Sequence, residues 1–231
     1  MNSNQIMKKA KIRNIVSLSL CSLIVIFTLL ASILGICAKM YEGDSTSLAI
    51  GGYYFFRYYT SDSNILLGIV SLIVAIHNIQ NLRQNRDELP KWVNIFYVIA
   101  LTGTTITFLT TAFFLTPINM ANGHSFFALY EGNLFFLHFL DPLLGIAAFI
   151  FFMPYEKLNI KHALMCISTV FVYSCFYIPF IITKTWPDFY GFTFGGNNAV
   201  IPIAAIVFLF IGFLVGFVLI VLRNLVINKK T

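Results

Sequence analysis

Six stretches of this sequence are each apolar enough and long enough to cross a bilayer, and they leave little chain for anything else. A helix rises 1.5 Å per residue, so about 20 apolar residues cover a hydrocarbon core of roughly 30 Å. Residues 15–38, 58–80, 93–116, 133–153, 163–183 and 199–222 fit that length. In lipid, each backbone polar group must find its partner inside the protein, which selects helices. The expected fold class is therefore all-α: a polytopic membrane protein with six transmembrane helices, forming one integral domain over residues 1–231. Only 10% of the residues are charged, against about 25% in soluble domains. The connections are short apart from residues 39–57, and no internal repeat stands out.

The basic start MNSNQIMKKAKIRN followed by an apolar run has the outline of a signal peptide. The run spans 24 residues, whereas a cleavable apolar core has about 7–15. Cys21 follows Leu20 and Cys37 follows Ile36, so neither has the small residue that lipoprotein processing needs. A retained first span is expected. All four cysteines lie in apolar segments without metal-ligand spacing, and read as small packing residues.

Lysine and arginine set the expected direction of insertion. Lys8, Lys9, Lys11, Arg13, Arg83, Arg86, Lys91, Lys157, Lys161, Arg223, Lys229 and Lys230 fall on one side, and only Lys39, Arg57 and Lys184 on the other. That split predicts both termini in the cytoplasm. The net charge of +6 then reports topology, and no nucleic-acid partner is expected. Trp92 falls at the inner boundary and Trp186 at the outer one, with Tyr53, Tyr54, Tyr58 and Tyr59 as an outer aromatic belt.

Two spans carry polar groups that a lipid-facing helix would not tolerate. In the second, Ile65–Ile76 gives only 12 apolar residues, worth about 18 Å. The helix must therefore extend back through Thr60-Ser61-Asp62-Ser63-Asn64, with Ser61 or Asp62 capping it. Thr60, Asn64, Ser71 and Asn78 share one face, which should look into protein or a wet cavity. The plain explanation is helix–helix hydrogen bonding. The threonines of the third span (102, 104, 105, 107, 110, 111) are read as packing residues.

The fourth span contains HFLDP. His138 and Asp141 are i, i+3 neighbours, and Pro142 should free the carbonyl of His138. Ionisable groups inside a membrane helix are costly unless paired, and are candidate functional residues; a structural His–Asp pair is the plainer alternative. His138 lies 15 residues above Met153, about 23 Å, and Thr60 lies 20 above Gln80, about 30 Å. Tilt absorbs one turn of mismatch, so depth permits a Thr60–His138 or a Ser63–His138 pair. A hydroxyl beside an imidazole is the minimum for an activated nucleophile. Asp141, or an acid from another helix, can orient the ring, or Asp141 can point past it toward another helix. At this depth the natural substrate is a lipid or acyl ester.

FRYYTSDSN, LHFLDPLL and WPDFYGF together resemble the androgen-induced family of six-helix membrane threonine hydrolases and their bacterial relatives. The matching patterns are Tyr59-Thr60-Ser61-Asp62-Ser63-Asn64 and His138-Phe139-Leu140-Asp141-Pro142. The resemblance implies a hydrolase of fatty-acyl esters in a bacterial cell membrane, with Thr60 as nucleophile and His138 as base. Ser63, Asn64 and Asp141 are the supporting residues, and no cofactor or metal is implied.

The alternative is a small-molecule binding or transport subunit of the vitamin-capturing type, without catalysis. A third reading is a zinc hydrolase on His124, His138 and Asp141; His77 and His162 lie too far inward to serve it. Finally, Pro187, Gly191, Gly195 and Gly196 mark a turn-rich segment, 184–198, that either connects two spans or covers the cavity.

Overall fold

The computed structural model describes residues 3–37, 52–154 and 156–228. Of the residues used in the charge argument, Lys39, Lys229 and Lys230 lie outside that set. Every described element is helical, and six helices are long and apolar enough to span a membrane: Met7–Cys37, Tyr59–Gln84, Lys91–Ala121, Asn133–Phe152, Ile160–Ile182 and Asn198–Asn228. These are spans one to six. Phe113, Phe176 and Phe210 point outward and are exposed, as lipid-facing rings should be.

Span one packs on two, two on three, three on six and six on five, while span four lies against one, three and six. The main core is apolar, built from Ile24, Leu67, Val74, Leu101, Phe149 and their neighbours. Close approach depends on small residues. A methyl group at Gly103 would meet Ser63 Cβ at 2.9 Å, and one at Gly145 would meet Leu101 Cδ1 at 2.7 Å. The bundle has a basic end, where Arg13 pairs with Asp87 and Lys91 with Glu156. Its opposite, tyrosine end carries Tyr53, Tyr54, Tyr58 and Trp186.

Spans three and four are not continuous α-helices. Each contains a five-residue π turn, Thr111–Leu115 and Phe136–Leu140, and each turn ends two residues before a proline, Pro117 and Pro142. A proline in an α-helix lacks its donor and strikes the carbonyl four residues back. Widening the turn moves that carbonyl away. A second π turn, Ala148–Phe152, ends span four.

The frayed end of span four is held by a residue that the charge count had placed at the cytoplasmic tail. Arg223 is buried inside span six, not at a solvated terminus. Its guanidinium donates to the carbonyls of Phe149 at 3.2 Å and Pro154 at 2.7 Å, and to Asn94 Oδ1 at 2.9 Å, and it stacks on the Phe149 ring. A planar fork of donors suits this three-way task better than an ammonium. Replacing Arg223 with Met should cost about 3 kcal/mol, because buried acceptors lose their partner. Thermal unfolding in detergent reads this, and Arg223→Lys should recover less than half of the loss.

Candidate functional site

The polar face of span two is buried along its whole length: Thr60, Asn64, Ser71 and Asn78 all face protein. Near the basic end, Asn78 Nδ2 donates to Ser17 Oγ of span one at 2.9 Å. Near the tyrosine end, Asn64 Nδ2 donates to two carbonyls, Thr60 at 2.7 Å and Leu137 of span four at 3.1 Å. The turn carrying Thr60 is thereby tied to the turn carrying His138.

The π turn explains why Leu137 offers that carbonyl. Within it the Asp141 amide bonds to the Phe136 carbonyl, five residues back. In the same register, Pro142 stands opposite Leu137 and has no N–H to give. The freed carbonyl is therefore that of Leu137, not of His138 as an α-helical register predicts. Asn64 fills the vacancy from another helix.

His138 is buried, and its Nδ1 lies 2.7 Å from the Leu129 carbonyl. A carbonyl can only accept, so Nδ1 carries the proton, and in the neutral ring Nε2 keeps its lone pair. This is the tautomer a general base needs on that nitrogen. Asp141 does not orient the ring. Its Oδ2 accepts from Thr28 Oγ1 of span one at 3.0 Å, and its Oδ1 is buried without a hydrogen-bond partner. The i, i+3 spacing assumed an α-helix, and the π turn alters how the two side chains are placed.

The hydroxyls of the TSDSN stretch part company. The Thr60 carbonyl accepts from Ser63 Oγ and Asn64 Nδ2, while the Thr60 hydroxyl makes no hydrogen bond among the described residues. Ser63 faces span three at Gly103 and lines a separate groove with Asp62. Neither Ser61 nor Asp62 caps the helix: Tyr58 is the N-cap, and its own side chain makes no capping bond. The first amide, that of Tyr59, donates instead to Tyr190 Oη at 2.9 Å, from the segment before span six. Sequence spacing gave no sign of this long-range cap.

That segment is more than a connection, because Asp188 organises it. Its carboxylate accepts from Tyr177 Oη, Thr193 Oγ1 and the amides of Phe192 and Thr193, at 2.6–2.9 Å. Partial burial disfavours its charge, but these four donors outweigh burial and hold the carboxyl below its ordinary range. Tyr177 Oη in turn accepts from the Tyr190 amide at 3.1 Å, placing Tyr190 over the start of span two.

His124, His138 and Asp141 do not form a shared ligand set, and no group of three His, Cys, Asp or Glu comes together among the described residues. No protein-family model, curated protein or solved structure matches the chain.

Replacing Asn64 with Leu should remove the tie between spans two and four and cost about 1 kcal/mol, the scale of hydrogen bonds between membrane helices; unfolding in mixed detergent measures it. Asp188→Asn sets an amide N–H against donors, and should speed hydrogen exchange at Phe192 and Thr193. The Asp188 carboxyl is depressed in the folded chain. Its contribution is therefore present above the unfolded value of about 3.9 and lost as pH falls through the folded one. Protection of those amides, measured against their intrinsic exchange rate at each pH, should fall below about pH 4 and stay constant above it.

Proposed function

We propose that this chain is a membrane-embedded hydrolase of lipid or fatty-acyl esters, with Thr60 as nucleophile and His138 as general base. The observation that carries the reading is the Asn64 bridge, which ties the Thr60 turn to the His138 turn. The Leu129 contact supports it by leaving His138 Nε2 as the acceptor. The resemblance of the TSDSN and HFLDP stretches to the androgen-induced family points to the same pair. Proposed orientation follows the basic residues: termini in the cytoplasm and the tyrosine end facing outward across the cell membrane.

In the proposed reaction, Thr60 Oγ attacks the ester carbonyl as His138 Nε2 takes its proton. The tetrahedral adduct collapses by breaking the bond to the alcohol oxygen, which takes the proton from His138. Water, deprotonated by the same nitrogen, then attacks the acyl-threonine; the fatty acid leaves and the proton returns to Thr60 Oγ. Asn64 holds the two turns in register. Asp141 acts through span one and has no part in proton transfer.

Fluorophosphonate labelling of the purified protein tests the assignment. Thr60→Ala should abolish labelling and His138→Ala should slow it by about 10²-fold or more. Asp141→Asn, which keeps an acceptor for Thr28, should label at close to the wild-type rate. Equal labelling of wild type and the Thr60 and His138 variants would refute the mechanism. The other reading, small-molecule binding without catalysis, draws on the groove beside Ser63, which does not include Thr60 or His138.

A further inference from the structure

The groove between spans two, three and five encloses about 510 Å³. Among the described residues fourteen line it, half of them aromatic, and Asp62 is the only charged one. The wall changes with depth. Toward the tyrosine end lie Asp62 and the rings of Phe56, Phe180 and Trp186; deeper in the bundle lie Leu66, Ile99 and Phe96.

Its polar atoms are largely committed to the protein. Tyr59 Oη donates to Thr169 Oγ1 at 2.9 Å, and Tyr173 Oη to the Arg57 carbonyl at 2.5 Å. Thr169 Oγ1 donates to the Cys166 carbonyl and Ser63 Oγ to that of Thr60. These bonds anchor the tyrosine rings, leaving ring surface and one carboxylate to meet a ligand. Asp62 forms no ion pair among the described residues. The Arg57 guanidinium lies 3.9 Å over the Tyr54 ring and 6.0 Å from the Trp186 ring centroid, and Arg57 is not itself among the residues that line the groove.

The helix dipole favours an acid in the first turn of span two, but it does not call for a wall of rings around that acid. Ring faces carry negative potential and attract cations. They offer no strong hydrogen-bond acceptor, so they suit an alkylated ammonium better than a bare one. The apolar continuation suits an alkyl tail. We infer that this groove binds amphiphilic organic cations, with a quaternary ammonium head at Asp62 and the aromatic rings, and its tail along Leu66, Ile99 and Phe96. A phosphate next to the ammonium would face Asp62 without a lining cation, so simple cations bind more tightly than zwitterionic phosphocholine headgroups. The inference stands independently of the Thr60–His138 chemistry.

Trp186 lines the groove and Trp92 is the only other tryptophan, so Trp92→Phe makes fluorescence report on the site. Titration of this variant in maltoside micelles compares octyltrimethylammonium, neutral octyl glucoside and octylphosphocholine. The expected result is a saturable change with octyltrimethylammonium alone at low concentration. Added Asp62→Asn should weaken binding by about tenfold, and Asp62→Glu by about threefold or less. No saturable response, or undiminished affinity in a folded Asp62→Asn variant, overturns the site. Equal affinity for octylphosphocholine also overturns it, and would make a lipid headgroup the occupant. Should Asp62→Asn elute as aggregate, the comparison of the three amphiphiles on the Trp92→Phe protein decides alone.

Discussion

The carboxamide of Asn64 links span two to span four at the level where both carry their unusual residues. Inside a bilayer no water replaces a missing partner, so a carbonyl released by proline must be satisfied by protein. Pro142 creates that demand, the π turn at Phe136–Leu140 assigns it to Leu137, and Asn64 meets it. This contact ties the turn that carries Thr60 to the turn that carries His138. Leu129 then fixes the imidazole tautomer.

The same demand shapes the two ends. At the basic end, the last turn of span four unwinds into Met153 and Pro154, and the released carbonyls converge on Arg223. At the tyrosine end, the first amide of span two finds Tyr190, which is held in turn by Tyr177 and Asp188. In these three places a side chain from a distant part of the chain supplies the missing partner. Two faces of span two have separate tasks. One ties into spans one and four through Asn64 and Asn78, and the other opens onto the aromatic groove through Ser63 and Asp62.

Much of the architecture is legible in the sequence. The six spans follow from hydropathy and length, and the burial of Thr60, Asn64, Ser71 and Asn78 follows from their common face. In span four, what periodicity missed follows from assuming an α-helical register throughout. Five residues of π helix change which carbonyl Pro142 releases, and of the two placements open to Asp141 the one toward another helix is found, at Thr28 of span one. Arg223 was counted as a terminal charge because Lys and Arg near a helix end are ordinarily solvated. Its burial depends on acceptors from residues about 70 and 130 positions away. Asp62 looked like a cap by its place in the sequence, but the cap comes from Tyr190, across 131 residues.

The central claim is that the polar turn of span two presents Thr60, not its neighbour Ser63, to His138. Tandem mass spectrometry of the peptide spanning span two, after reaction with a lipid-like fluorophosphonate, tests it directly. The adduct is predicted on Thr60 Oγ. An adduct on Ser63, on the opposite groove, or a modified protein with this peptide unmodified, would contradict it.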